Sequence, residues 1–206
     1  MNILFAASEA VPYAASGGLA DVAGTLPKVI SEKGNNCAVV IPLYKDINPE
    51  LRKYMNFLTN ITVDVSWRKQ YCGIYTAEKN GVTYFFIDNE YYFNRDGLYG
   101  FYDDCERFVF FSRAVLEMLR HIDFKPDVIS CNDWQTALIP VYYQVYYKYQ
   151  QGYSNIRTVF TIHNIEYQGR YGIEVLNELM GIPSYHSGLV EYDGYINLMK
   201  GAIETA

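Results

Sequence analysis

Short apolar runs alternate with amphipathic stretches along much of the chain, and this pattern predicts strands and helices in turn. The run Ile3 to Ala7 is bounded by polar and turn residues, as expected of a buried strand. Apolar residues then recur at helical spacing from Leu19 to about Lys33, and Gly34 supplies a stop. A second buried strand covers Cys37 to Ile41. Together these elements predict a β-α-β unit with a right-handed crossover.

The segment between Phe57 and Asp88 has a different pattern, in which apolar residues alternate with polar ones. Ile61, Val63 and Val65 show this period of two, and two strand-like runs follow at Tyr71 to Thr76 and Val82 to Ile87. Asn80-Gly81 lies between those runs, and Asn-Gly flanked by strand formers is a strong hairpin signal. We expect either a hairpin-rich insertion or an antiparallel edge of the α/β domain.

The second half of the chain returns to alternating helices and strands. The pattern predicts a long helix from Tyr102 to His121, a strand from Asp127 to Cys131, a helix from Trp134 to Tyr147 and a strand from Thr158 to Ile162. Buried strands that alternate with helices favour an α/β fold with a Rossmann-like, doubly wound, mostly parallel sheet. The 206 residues contain no linker-like stretch, so we expect one domain.

Composition and charge limit which partners the protein is expected to bind and where in the cell it is expected to act. Hydrophobic residues make up 50% of the chain and charged residues 19%, which excludes a disordered protein. A net charge of −6 without a basic run argues against nucleic-acid binding. We expect a cytoplasmic protein, because no signal peptide and no apolar run of about 18 residues occurs. The four cysteines are widely spaced and predict buried free thiols, and no cluster has metal-ligand spacing, so no metal and no cofactor are expected.

Polar residues follow three of the predicted strands. They lie in the loops Ser8 to Gly18, Asn132 to Trp134 and His163-Asn164. In an open parallel sheet, ligands bind outside the carboxyl ends of the strands, near the point where the strand order reverses. We therefore expect these three loops to converge on one crevice.

The first of these loops is suited to an anion. Glycines at Gly17 and Gly18 would let backbone N–H groups approach a phosphate, and a following helix adds partial positive charge. A Gly-Gly pair before a helix is also common punctuation, so both interpretations stay open. Asp21 lies in the first turn of the predicted helix, where a carboxylate complements the helix dipole whether or not it has a function.

Two further residues also have a structural interpretation beside a functional one. Asp133 lies between a strand and a helix, where aspartate usually caps the helix. His163 follows a strand directly, and it is either a structural histidine or part of the site. His121 and His186 lack such a position and are interpreted as structural. The 21 tyrosines suit stacking on sugar rings and core packing equally well.

Seven stretches follow one another in order across the whole chain. They are Ser8–Pro12, Ser16–Val22, Leu26–Lys28, Pro42–Tyr44, Arg95–Gly100, Asn132–Ala137 and Thr161–Gly169. Together they resemble bacterial glycogen synthases and plant starch synthases. That resemblance implies an ADP-glucose-dependent enzyme that elongates α-1,4-glucans, with the GT-B architecture of two Rossmann-like domains facing across a cleft.

The resemblance also implies which part of such an enzyme this chain represents. Members of the family are more than twice as long, and their C-terminal domain supplies most contacts to the sugar nucleotide. Residues 1–206 are therefore expected to form the N-terminal, acceptor-side domain of a GT-B glycosyltransferase, without the C-terminal donor-binding domain. We expect this domain alone to be inactive and to need that C-terminal domain, ADP-glucose and an α-1,4-glucan as partners.

Carried over to matching positions, the resemblance implies two groups of site residues and no metal. Asp133 and His163 would lie beside the reacting sugar, and Asp21 would help to organise the cleft near the transferred glucose. Transfer would retain the anomeric configuration and add glucose to the non-reducing 4-hydroxyl of the glucan. Gly17 and Gly18 would approach the donor diphosphate within a substrate-binding set of Ser16, Gly17, Gly18, Asn164 and Tyr167.

The sequence departs from the family pattern at two places. Relatives commonly carry lysine before the [ST]-G-G-L motif, where this chain has Ala15, and many have histidines at the positions of Ser130 and Asn132. The missing lysine removes a cation that a departing diphosphate would use. Two alternatives therefore stay open: a non-catalytic α-glucan-binding or regulatory domain on the same scaffold, and a GT-B relative that uses UDP-glucose.

Overall fold

A seven-stranded sheet forms the centre of the computed structural model, which describes residues 1–206. Its first half contains, in chain order, β1 (Asn2–Ala6), α1 (Gly18–Ser31), β2 (Asn36–Pro42), α2 (Pro49–Arg52), β3 (Asn56–Val65), β4 (Arg68–Lys79), β5 (Val82–Asp88), α3 (Glu90–Phe93), α4 (Asp104–Met118) and β6 (Val128–Asn132).

The second half adds one more strand to this sheet and then forms a separate, smaller sheet. The α-helices and strands are α5 (Leu138–Tyr142), β7 (Arg157–Thr161), β8 (Arg170–Tyr171), β9 (Glu191–Tyr192), β10 (Tyr195–Asn197) and α6 (Leu198–Thr205). Short 3₁₀ and π-helical segments connect them at Trp134–Thr136, Tyr143–Tyr147, Leu176–Met180 and Ser184–Leu189.

The order of strands in the large sheet is β3-β4-β5-β2-β1-β6-β7. Strands β5, β2, β1, β6 and β7 are parallel, whereas β3 and β4 form an antiparallel edge. The hairpin-rich segment is thus an edge of the same sheet rather than an insertion. The chain runs from β1 toward β5 and later returns to the other side of β1, so α1 and α4 lie on opposite faces because parallel crossovers are right-handed. The predicted doubly wound fold is confirmed.

The strand order reverses between β1 and β6, and this reversal positions the loops that carry candidate chemistry. Ala6 pairs with Cys131 and Asn132 pairs with Thr161, so the carboxyl ends of β1, β6 and β7 lie side by side. The loops after these three strands therefore leave the sheet at one edge, as the sequence predicted.

The predicted hairpin turn at Asn80-Gly81 is confirmed. Both residues have positive φ, 53° and 76°, as a two-residue type I′ connection requires. In the turn between β3 and β4, Ser66 has positive φ, 53°, but Trp67 does not. That turn has no glycine and therefore gives a much weaker signal in the sequence.

The prediction of one continuous helix from Trp134 to Tyr147 is wrong. A 3₁₀ turn covers Trp134–Thr136, α5 begins at Leu138, and a π-helical turn follows. Pro140 explains the break, because it has no N–H to donate to the carbonyl of Thr136 in a regular α-helix that began at Trp134. In the first turn of α5, where an N–H has no helical partner anyway, Pro140 fits well.

The three-stranded sheet β8-β10-β9 and α6 are absent from the sequence-based expectations. Its strands are two or three residues long, too short to show a period of two. All four cysteines are buried and unpaired, as predicted, and burial raises the pKa of the Cys105 thiol to about 12. None of the helices combines the length and apolar character needed to span a bilayer.

Gly24 allows α1 to lie directly against the loop after β1. A Cβ at this position would lie 2.5 Å from the carbonyl oxygen of Val11, which is backbone and cannot turn away. We expect Gly24→Ala to lower the free energy of unfolding by about 1–3 kcal/mol despite the better helix propensity of alanine. Urea unfolding checks this, with Gly188→Ala as the control because a Cβ at Gly188 meets no atom within 4 Å. Equal stability of both variants would contradict the close approach.

Candidate functional site

A crevice of about 900 Å³ opens at the carboxyl ends of β1, β6 and β7. Seven of the eight predicted site residues line it, which are Ser16, Gly17, Gly18, Asp133, His163, Asn164 and Tyr167. Seven residues that the sequence reasoning did not single out for the site also line it, namely Glu9, Leu19, Tyr99, Gly100, Asp104, Trp134 and Gln135. The structure therefore brings the three predicted loops together and adds a fourth segment, around Tyr99.

Asp21 is the predicted site residue that does not line this crevice. It lies exposed in the first turn of α1. A carboxylate there complements the positive end of the helix dipole. Its role near a transferred sugar remains a prediction.

The N-terminus of α1 points into the crevice without a capping side chain. Gly17 is the N-cap residue and has no side chain with which to cap the N–H groups of Gly18 and Leu19. These N–H groups lack helical partners, and with the helix dipole they favour an anion.

The fold itself does not require glycine at either position of this pair. The backbone of Gly17 is extended, with φ −163°, and Gly18 does not have positive φ. A Cβ at Gly17 would make only an ordinary contact at 3.9 Å, and one at Gly18 would meet nothing within 4 Å. Backbone conformation therefore gives no reason for glycine at these two positions, which weakens the interpretation of the pair as a mere turn before the helix.

The buried Glu9 holds the loop after β1 in place. It is 3% exposed, and its Oε2 accepts hydrogen bonds from the backbone N–H of Ser16 at 2.5 Å and the hydroxyl of Ser16 at 2.7 Å. Burial raises the pKa of the Glu9 carboxyl, while the hydrogen bonds from Ser16 oppose that shift. Because Ser16 donates both of its protons to Glu9, an anion would depend on the N–H groups of the following residues.

The interpretation of Asp133 as a helix cap is wrong. Its side chain accepts no hydrogen bond from the 3₁₀ turn that follows it. Its Oδ1 instead accepts hydrogen bonds from the backbone N–H groups of His163 at 2.7 Å and Asn164 at 3.2 Å. Asp133 is 7% exposed. Its backbone has φ 59° and ψ 179°, a conformation that residues other than glycine rarely adopt. Asp133 thus ties the loop after β7 to the end of β6.

His163 is exposed at the crevice, and a second contact holds its ring. Its Nε2 lies 2.9 Å from Oδ1 of Asn132, the last residue of β6. Both the backbone and the ring of His163 are thus held by consecutive residues, Asn132 and Asp133. Both interpretations of His163 stay open, because its ring is hydrogen-bonded as in a structural histidine and the residue is exposed at the crevice.

The fourth segment of the crevice is held in place by a buried arginine. Arg107 is fully buried. Its Nη1 donates to the carbonyl of Leu98 at 3.0 Å and to Oδ1 of Asp104 at 2.6 Å. The other carboxylate oxygen of Asp104 accepts hydrogen bonds from the N–H groups of Gly100 at 2.8 Å and Phe101 at 3.2 Å. These bonds fix the chain on both sides of Tyr99, whose burial raises its pKa.

Aromatic rings form part of the crevice. Trp134 packs edge-to-face on Phe108, with ring centroids 5.1 Å apart. Tyr99 lies behind the first loop, and its hydroxyl is 2.7 Å from that of Ser8. Tyr167 is 62% exposed at the rim. Such rings provide the flat apolar faces on which sugar rings stack.

Three acidic side chains line the crevice, and no lysine or arginine lies among them. The carboxyl groups are those of Glu9, Asp104 and Asp133. Ala15, where relatives commonly have lysine, is exposed beside the loop. A bound diphosphate would therefore meet the N-terminus of α1 but no cation from this part of the chain.

Comparison with known proteins identifies the family. A family model described as the starch synthase catalytic domain matches residues 2–206. The chain belongs to this family. It is 51% identical over 206 residues to the glycogen synthase of Clostridium botulinum strain Eklund 17B and 47% identical over 205 residues to that of Geobacillus stearothermophilus. Each match covers 98% of this chain, and 43% and 42% of those relatives respectively.

A solved structure shows the same fold. The catalytic domain of starch synthase IV from Arabidopsis thaliana, bound to ADP and acarbose, superposes with a TM-score of 0.89 at 30% identity. The match covers 100% of this chain and 43% of that one. The chain thus spans less than half the length of the relatives that it matches.

Proposed function

We propose that this chain is the acceptor-side domain of a retaining glucan synthase, which transfers glucose from ADP-glucose to the non-reducing 4-hydroxyl of an α-1,4-glucan. The observation that carries this proposal is the uncapped N-terminus of α1, which opens into the same crevice as Asp133 and His163. Family membership supports it, as does the neighbour structure, whose ligands are ADP and acarbose. The domain acts in the cytoplasm and needs a C-terminal donor-binding domain for turnover.

In this proposal the N-terminus of α1 binds the donor diphosphate. The N–H groups of the first turn stabilise the negative charge that grows as the sugar leaves. The missing cation at Ala15 has to be replaced by a basic residue of the C-terminal domain. The tight approach of a phosphate to the backbone then explains why glycine stands at Gly17 and Gly18, where the fold itself tolerates a side chain.

The other wall of the crevice binds and orients the sugars. Asp133 holds the loop that carries His163 and Asn164, and these residues contact the transferred glucose. Tyr167 and Trp134 supply aromatic faces for the glucan. The ring at the transition state carries oxocarbenium-like positive charge, which the carboxylate of Asp133 stabilises from nearby.

The test is transfer of radiolabelled glucose to glycogen by a chimera. In it, this chain replaces the matching 43% of the Clostridium botulinum glycogen synthase, to which it is 51% identical. We expect transfer from ADP-glucose that is lost on His163→Ala, and no transfer by residues 1–206 alone. Transfer from UDP-glucose instead would favour the second donor. A folded chimera that binds glycogen without any transfer would favour a glucan-binding or regulatory domain.

Alanine substitutions at Gly17 and Gly18 test whether these glycines bind a phosphate or only form the turn before α1. We expect Gly17→Ala and Gly18→Ala to keep the free energy of unfolding within about 1 kcal/mol, because their methyl groups meet no close protein atom. Affinity of the chimera for ADP, measured by calorimetry, is expected to fall about tenfold, because the methyl group keeps the phosphate from the N–H groups. Gly188→Ala is the control for both measurements. Unchanged ADP affinity in the two variants would contradict the diphosphate site.

A further inference from the structure

Asn132 lies just beneath the crevice and makes three side-chain contacts. It is 4% exposed at the end of β6, between β1 and β7. Its Nδ2 lies 3.1 Å from the carbonyl oxygens of both Ala6 and Ser130, and its Oδ1 lies 2.9 Å from Nε2 of His163. Its side chain therefore joins two neighbouring strands to the ring in the crevice.

These contacts decide which way the amide of Asn132 faces. Backbone carbonyls only accept hydrogen bonds, so the atom between Ala6 and Ser130 has to be the NH₂ group, with one proton for each carbonyl. A flipped amide would place its oxygen against two carbonyl oxygens. The oxygen of Asn132 consequently faces His163, and because an amide oxygen cannot donate, the ring has to supply the proton.

We infer that Asn132 is a positioning residue that holds His163 with its Nε2 protonated and leaves Nδ1 as the ring atom available to substrate. The neutral ring then accepts a hydrogen bond from a sugar hydroxyl at Nδ1, and Nε2 serves as the anchor. The contact from Asp133 to the N–H of His163 fixes the backbone of the same residue. The consequence for glucose transfer rests on the proposed function, whereas the state of the ring does not.

Nuclear magnetic resonance of the ¹⁵N-histidine-labelled chain measures the state of the ring directly. Only three histidines are present, so His163→Gln identifies the signals of His163. We expect a protonated Nε2 whose proton exchanges slowly with water, while the rings of His121 and His186 exchange fast and serve as references. An unprotonated Nε2 in the neutral ring, or a proton that exchanges as fast as those of the references, overturns the inference without any substitution of Asn132.

Substitution of Asn132 tests the link to catalysis. In the chimera, Asn132→Ala is expected to release the Nε2 proton to fast exchange and to lower kcat about tenfold, with a smaller change in KM. Asn132→Asp keeps an acceptor for Nε2 and is expected to keep the slow exchange of its proton, but its second carboxylate oxygen faces the carbonyls of Ala6 and Ser130, so the free energy of unfolding is expected to fall. Asn89→Ala is the matched control, because Asn89 is also 4% exposed and bonded to backbone, but none of its side-chain bonds reaches a residue that lines the crevice.

The outcomes separate the two proposals. Slow exchange at Nε2 in an inactive chimera would support the role of Asn132 and contradict the proposed function. Fast exchange in an active chimera would do the reverse. An Asn132→Ala variant with unchanged exchange and unchanged kcat would overturn the positioning role, since the ring would then be held by other contacts.

Discussion

Replacing Arg107 with methionine is expected to lower the free energy of unfolding by about 3–5 kcal/mol, because it leaves a buried carboxylate and two backbone carbonyls without their partner. Those groups are the side chain of Asp104 and the carbonyls of Tyr92 and Leu98. Urea unfolding of the chain measures the loss. Hydrogen exchange at Gly100 and Phe101 is expected to accelerate, because the carboxylate that binds their N–H groups loses its counter-ion.

The design of this experiment separates the buried pair from a general loss of charge. Lys45→Met removes a cation that bonds Asp96 in the same segment at 2.6 Å, but this pair is exposed, so its urea midpoint should barely move. The double variant Arg107→Met with Asp104→Asn should recover part of the stability, because the leftover charge is gone. A loss no larger in Arg107→Met than in Lys45→Met would contradict the role of Arg107 as the anchor of this segment.

Features encoded by neighbouring residues were predictable from the sequence. Asn80-Gly81 specifies a hairpin by its own backbone preference, and the buried runs of β1, β2 and β6 specify strands by composition. The position of the crevice also follows, because it depends only on which loops come after parallel strands. These predictions need no knowledge of contacts between distant parts of the chain.

Features that depend on distant contacts were not predictable in this way. The carboxylate of Asp133 bonds the N–H of His163 because strand register sets Asn132 beside Thr161, and the local sequence indicated only a helix cap. Tyr99 lines the crevice because the buried Arg107 bonds the carbonyl of the preceding residue, Leu98. In the sequence, Arg107 cannot be told from an ordinary exposed arginine. Arg95 to Gly100 is one of the stretches that resemble the family, so the sequence does contain a signal for this segment.

Glu9 shows a different kind of omission. It lies in the loop after β1, which ends at Ala6, and the rule that selects the loops after the strands applies to it as well as to Gly17 and Gly18. Its burial could not be seen in the sequence, because glutamate is seldom buried without a partner. The partner is the backbone of Ser16, seven residues later, and this contact forms only when the loop folds back on itself.

Removing the carboxylate of Asp133 is expected to lower glucose transfer by the chimera at least about a hundredfold, since the loop with His163 would shift from its productive position. Asp133→Ala and Asp133→Gly both remove the acceptor for the N–H groups of His163 and Asn164. They differ in the backbone, because glycine adopts φ 59° without strain and alanine does not. We therefore expect Asp133→Gly to be the more stable of the two and equally inactive, which separates lost contacts from lost folding.

Asp127 provides the matched control for Asp133 at the opposite end of the same strand. Its Oδ2 accepts a hydrogen bond from the N–H of Asn2 at 2.7 Å, the same distance and the same kind of bond as between Asp133 and His163. Asp127→Ala should cost less stability, because Asp127 is exposed and accepts one such bond where the buried Asp133 accepts two, and it should leave transfer intact. Asp133→Asn keeps an acceptor oxygen without the charge and is expected to retain part of the activity. Equal transfer by the Asp133→Gly and Asp127→Ala variants would mean that the carboxylate of Asp133 only supports the fold.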